Sequence, residues 1–190
     1  MPLGDSVFSR RLLIASALTF AFALSSHAQS TWQSRVYASD GKSIQNYHGQ
    51  VDVQSVTFER SKKYRWGTEI GFAALAHAIE QPRTWLGDGH QNVPAAGLSL
   101  LARHPFRDDS HAVQPFVEVS SGPMWSTERV PAATSHFNFY TQLGVGAIIH
   151  PERKTSLIVG WRFGHISNAG YGRLNSGLNI NSLMIGTRFR

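Results

Sequence analysis

Apolar and polar residues alternate with a period of two over long stretches of this chain, and a period near 3.6 is almost absent. From Phe137 to Ile149 the odd positions carry Phe137, Phe139, Thr141, Leu143, Val145, Ala147 and Ile149. Asn138, Tyr140, Gln142, Gly144 and Gly146 occupy the even positions between them. Leu157, Val159, Trp161 and Phe163 repeat the pattern against Gly160, Arg162 and Gly164, as do Leu183, Ile185, Thr187 and Phe189 against Ser182, Gly186 and Arg188. Trp66, Ile70, Phe72 and Ala74 stand opposite Gly67, Glu69 and Gly71. Successive residues of a strand point to opposite faces, so each stretch predicts a strand with one apolar face and one small or polar face. Glu69, Glu118 and Arg162 fall on the polar face. A sandwich in water would turn that face outward; a transmembrane barrel turns the apolar face to lipid and fills its lumen with small or ion-paired residues.

Eight strands are predicted, at about 32–40, 50–60, 64–78, 92–104, 111–122, 134–149, 154–167 and 178–190. Their connections alternate in length. Those after strands 2, 4 and 6 are short and polar (SKK, PFRDDS, PERK), and the others are longer, such as QPRTWLGDGHQNV and MWSTERVPAATS. Short periplasmic turns alternating with longer outer loops is the pattern of bacterial outer-membrane barrels. Trp66, Trp85, Trp125, Trp161 and Phe189 suit the aromatic girdles of such a protein. The expected fold is therefore all-β, an eight-stranded antiparallel transmembrane barrel. A secreted soluble barrel of lipocalin type is the alternative.

The N-terminus sharpens this choice. Arg10 and Arg11 precede an apolar run, Leu12 to Leu24, followed by Ser26-His27-Ala28 as a small-x-small cleavage site. This is the layout of a secretory signal peptide. A run of thirteen residues is too short for a helix to cross about 30 Å of hydrocarbon. Cleavage after Ala28 leaves 162 of the 190 residues, expected to form one barrel domain over 29–190, with a net charge of +5. Charged residues make up only 16% of the chain, below the roughly 25% of soluble domains. The absence of cysteine removes disulfides, thiolate metal sites and cysteine nucleophiles. Without a basic stripe, the excess positive charge does not argue for nucleic acid; it suits phosphate-bearing partners equally.

Most candidate motifs dissolve on inspection. Gly144-Val145-Gly146 lacks the third glycine and the following helix of a dinucleotide site. His150 and Glu152 share a short turn, where such residues are ordinarily solvated. One group survives: Gly164-His165-Ile166-Ser167-Asn168-Ala169-Gly170, which ends strand 7 and opens the last outer loop. His165 and Ser167, two apart, share the face of Leu157, Val159, Trp161 and Phe163, so in a barrel they look outward at the outer-leaflet edge. A serine beside an imidazole base is the minimum for acyl transfer.

The longer stretch GHISNAGYGRLNSGLN resembles the lipid A 3-O-deacylases of the PagL family, specifically over about residues 157–190. That resemblance implies an outer-membrane serine hydrolase that removes the ester-linked 3-hydroxyacyl chain of lipopolysaccharide. It makes Ser167 the nucleophile and His165 the general base. It also makes Asn168 an oxyanion stabiliser, with Gly170 and Asn175 as supporting positions. Lipopolysaccharide and outer-membrane lipids are the implied partners, a homodimer is an assembly to test, and no cofactor or metal is implied. The family's third catalytic member is a glutamate fourteen residues after the histidine, and here Asn179 stands there. No Asp or Glu follows Glu152. An asparagine oxygen can orient the imidazole, as in Cys-His-Asn sites, and the Ser-His-Asn site of outer-membrane phospholipase A resembles the arrangement. Asn179 shares the outward face of Leu183 and Ile185, so it is the expected orienter; Glu80, Asp88 and Glu128 are the loop-side carboxylates that could replace it. A non-catalytic small barrel is the competing function.

Overall fold

The computed structural model describes residues 32–44, 50–64, 66–84 and 86–189. The predicted leader, 1–28, lies outside them, as does Trp85. Over the described residues the chain forms eight antiparallel strands: β1 (Trp32–Ser43), β2 (Asp52–Lys63), β3 (Glu69–Gln81), β4 (Gln91–Pro105), β5 (Val113–Ser126), β6 (Phe137–Ile149), β7 (Thr155–Ser167) and β8 (Leu178–Phe189). Each pairs with its sequence neighbour, and β8 pairs with β1 to close the barrel. Short connections at 64–68, 106–112 and 150–154 lie at one end, and longer ones at 44–51, 82–90, 127–136 and 168–177 lie at the other.

The registers fix the barrel's shape. The hydrogen-bonded row through Thr155 passes Phe189, Ser34, Arg60, Phe72, Leu100, Ser121 and Thr141. It re-enters β7 at His165, ten residues above its start. A stagger of this size tilts the strands by about 35–45° and leaves an interior just wide enough for side chains to fill.

Trp66 departs from expectation. The alternation predicts it in the third strand, but it lies in the turn before β3, where it is 80% exposed, and β3 begins only at Glu69. The cause is Gly67, whose positive φ of 81° turns the chain after Trp66 and breaks the alternation that runs on from Ile70. The sixth strand likewise starts at Phe137 rather than near 134, because Ser135 and His136 close the loop 127–136 by bonding to Val130 and Ser126.

The lumen divides into two halves. On the side of the short turns, three arginines face three glutamates. Arg35 contacts Glu59 at 2.8 Å and Glu69 at 2.5 Å; Arg103 contacts Glu59 at 2.7 Å and Glu118 at 2.5 Å; Arg162 contacts Glu118 at 2.5 Å. All six are buried. Gly144 makes room for them, since a Cβ there would sit 3.0 Å from Glu118 Cγ and 3.1 Å from Arg162 Cγ. The Gly144–Gly146 pair is thus barrel packing, as its sequence context suggested. The outer half, by contrast, is sealed by apolar side chains, among them Val53, Leu75, Ile79, Val93, Met124, Ile166 and Ile180, with Val130 of loop 127–136 packed into the same cluster. Alternation alone predicts a small or ion-paired interior and misses this apolar plug.

Tyr37 ties the ionic half together. Its hydroxyl donates to Glu59 Oε2 at 2.9 Å and accepts from Arg103 Nη2 at 2.8 Å. Tyr37→Phe should therefore destabilise the barrel by about 1–3 kcal/mol, the cost of leaving buried partners unsatisfied. The urea midpoint for loss of the compact gel species in lipid vesicles measures this, and an unchanged midpoint would remove Tyr37 from the network's energetics.

Candidate active site

β7 carries its outward residues at odd positions, because Arg162, Gly164 and Ile166 pack inside while Leu157, Trp161 and their neighbours face out. His165 and Ser167 therefore stand on the outer surface at the far end of the strand. The β7–β8 register sets His165 directly opposite Asn179, and Asn179 Oδ1 lies 2.6 Å from His165 Nδ1. With the amide oxygen accepting, Nδ1 carries the proton and Nε2 keeps its lone pair. Of the expected trio, the structure brings these two into contact. Among the described residues no hydrogen bond joins Ser167 to His165. Same-face residues two apart are about 6–7 Å apart along a strand, and apo contacts of this kind often tighten only when substrate is bound.

The loop from 168 to 177 is organised by Asn168. Its side chain turns inward and is 1% exposed. Nδ2 donates to Leu174 O at 2.8 Å, and Oδ1 accepts from the Gly170 amide at 3.0 Å. The Asn168 amide donates to Asn175 Oδ1 at 3.1 Å. A turn follows in which Tyr171 N bonds to Asn168 O at 3.0 Å, with φ positive at both Ala169 (52°) and Gly170 (83°). Asn168, Gly170 and Asn175 thus form one hydrogen-bonded unit beside Ser167. The family resemblance marks Asn175 as a supporting position, but nothing in the sequence pattern marks the Leu174 carbonyl as an anchor.

Other candidates sit elsewhere. Glu80 faces outward on β3, across from Asp52, and Asp88 and Glu128 are exposed in loops 82–90 and 127–136. In the structure the imidazole pairs with Asn179 rather than with any of these. His150 Nδ1 meets Glu152 Oε1 at 3.0 Å in the turn 150–154, at the barrel's opposite end. The Glu152 carboxyl is held below the usual carboxylate range by its own backbone amide and then by His150, which marks an ordered turn. Among the described residues, no group of three or more His, Cys, Asp or Glu is arranged to hold a metal.

An eight-stranded barrel with apolar residues outside and buried ion pairs within is an outer-membrane protein. The family model of PagL, lipid A 3-O-deacylase, matches residues 17–188, and the chain belongs to that family. Its place is the outer membrane, its activity is lipid A deacylation, an ester hydrolysis, and its substrate is lipopolysaccharide. The soluble-barrel alternative falls with this, as does the non-catalytic one. The crystal structure of the outer-membrane enzyme PagL is similar, with a TM-score of 0.60 at 20% identity over 80% of this chain and 97% of that one. Neisserial surface protein A superposes with a TM-score of 0.60 at 11% identity, over 86% of this chain and 99% of that one. No curated protein sequence matches the chain.

Proposed function

We propose that this deacylase works as a serine esterase, with Ser167 as nucleophile, His165 as general base and Asn179 as orienter, acting on the outer leaflet. The observation that carries the reading is the His165 Nδ1–Asn179 Oδ1 contact of 2.6 Å beside Ser167 on the lipid-facing surface. Nε2 takes the Ser167 proton as Oγ attacks the acyl carbonyl. Collapse of the tetrahedral adduct breaks the bond to the sugar 3-oxygen, which leaves with the proton from Nε2–H. Water, activated by the same nitrogen, then attacks the acyl-serine and releases the 3-hydroxy fatty acid.

Asn168, Gly170 and Asn175 support the oxyanion. The Asn168 amide follows the nucleophile and is held by the neutral oxygen of Asn175. A full oxyanion competes for it favourably, since charge-assisted hydrogen bonds are roughly twice as strong as neutral ones.

The barrel's tilt supports a lipid substrate. Rows climb from β7 towards β8 and β1, so the strands lean the other way, and the bilayer normal drawn inward from His165 crosses β6 near Leu143 and β5 near Val117. Both are exposed apolar residues. An acyl chain whose ester lies at Ser167 would run along them.

Two further parts belong to the proposal. Residues 1–28 are removed on export, leaving 29–190 as the barrel domain, and intact-mass measurement of the outer-membrane form checks this. A homodimer is compatible with the site provided its interface avoids β6–β8, which cross-linking would test. The central experiment incubates purified protein with lipopolysaccharide in mixed detergent micelles. Free 3-hydroxy fatty acid and a matching loss of mass from lipid A are expected. A covalent fluorophosphonate adduct mapped to any residue other than Ser167 would overturn the site.

A further inference from the structure

The outer loop that leaves Ser167 returns to the barrel against the imidazole of His165. Gly177 is the last residue before β8 and two residues ahead of Asn179. Its φ is +53°, a conformation that L side chains rarely adopt. A Cβ built on it would lie 2.8 Å from His165 Cε1, 3.4 Å from Nε2 and 3.8 Å from Nδ1. The glycine is thus required twice, once by the backbone's turn and once by the ring beside it. The contact falls on the Cε1 side of the imidazole, between the nitrogen that bonds Asn179 and the nitrogen free to take a proton.

The Asn179 contact holds one edge of the ring but leaves it able to swing about the Nδ1–Oδ1 line. A second, rigid surface is needed to fix the direction of Nε2. Backbone held by the strand that follows it supplies such a surface, where a flexible side chain would not. We infer that Gly177 is a positioning residue for the deacylation, its backbone setting the plane of His165 so that Nε2 is aimed at Ser167. The inference rests on the reading of His165 as the base.

A methyl at 177 must push the ring away by about 0.6 Å or more to reach ordinary contact. A displacement on the order of 1 Å at a reacting group can cost about 10² in rate. Gly177→Ala should therefore lower kcat about 10- to 100-fold while changing KM less than about twofold, with heat-modifiable migration retained. Gly177→Asn separates the two requirements, since asparagine tolerates positive φ but brings a Cβ. The inference expects Gly177→Asn to be slow as well, and also to carry the test should Gly177→Ala fail to fold. In both variants the ring ¹⁵N resonances of His165 should shift from wild type. Added to His165→Ala, neither should reduce the rate further.

Wild-type kcat in Gly177→Asn would show that only the backbone angle matters and would overturn the inference. So would a loss expressed in KM with kcat unchanged. The two levels fail differently: if Ser167→Ala and His165→Ala stay active, the serine-esterase reading falls. If those two are inactive while both Gly177 variants turn over like wild type, only the positioning role falls.

Discussion

Ser167→Ala and His165→Ala should each abolish release of 3-hydroxy fatty acid while the barrel keeps its heat-modifiable migration. The fold is expected to survive because both side chains lie on the outer face of β7, away from the Arg–Glu lattice and the apolar plug. The chemistry is expected to vanish because, in the proposed mechanism, the two act as a unit. Removing either the nucleophile or the base of such a pair costs about 10⁶ in turnover, and removing both costs little more. The double variant should accordingly match the singles in initial rate. Folded protein recovered from outer membranes, at equal amount and in the same micelles, is the comparison required. Substantial activity in Ser167→Ala would place the nucleophile elsewhere. Loss of activity together with loss of the compact gel species would mean that the substitution had damaged the barrel instead.

The fold was legible because a barrel in lipid writes its two faces into alternate residues. β6, β7 and β8 showed it clearly, and the structure keeps their parity over most of their length. In the sequence β1, β2 and β4 alternate only weakly, and the structure shows why. Their interior faces hold Arg35, Glu59 and Arg103, while outward positions include Asp40, Arg60 and His104. Charge on both faces erases the alternation that identifies a strand. The interior salt bridges join residues 15 to 44 positions apart, on different strands, and local pattern carries no information on that. The placement of the proposed site was legible where chemistry and spacing coincide: His165 and Ser167 two apart on one strand, with Asn179 on the same outward parity of the next. The inward turn of Asn168 and the approach of Gly177 to the ring were not. Both depend on the path of the loop 168–177, whose hydrogen bonds each use at least one backbone group, and backbone groups are common to any sequence.

In the proposed mechanism Asn179 offers a neutral amide where the family resemblance implies a carboxylate, and its substitution should separate the two tasks of a third catalytic group. Orienting the imidazole requires an acceptor at Nδ1, which Asn179 Oδ1 provides at 2.6 Å. Stabilising the imidazolium that forms as Ser167 attacks requires negative charge, which an amide lacks. Asn179→Ala removes the acceptor and frees the ring, so the rate should fall by about 10²–10⁴, the upper bound being the cost of losing the correct tautomer. Asn179→Glu supplies an acceptor and a charge together. On the lipid face near the interface such a carboxylate costs about 0–1 kcal/mol of fold stability, so the barrel should persist. The plateau rate should equal or exceed wild type. Because a neighbouring carboxylate favours the protonated ring, the acid limb of the profile should move to higher pH, and the gain should be largest from neutral pH upward. Asn179→Asp, with the same reach as the native amide, tests whether the extra methylene of glutamate spoils the geometry. Initial rates of the four proteins across pH, in one detergent–lipid mixture, are the measurement. Coincident profiles for wild type, Asn179→Ala and Asn179→Glu would exclude position 179 from the machinery. An Asn179→Glu profile below wild type at every pH, with Asn179→Asp above it, would instead mean that charge is welcome there and only the glutamate's length is not.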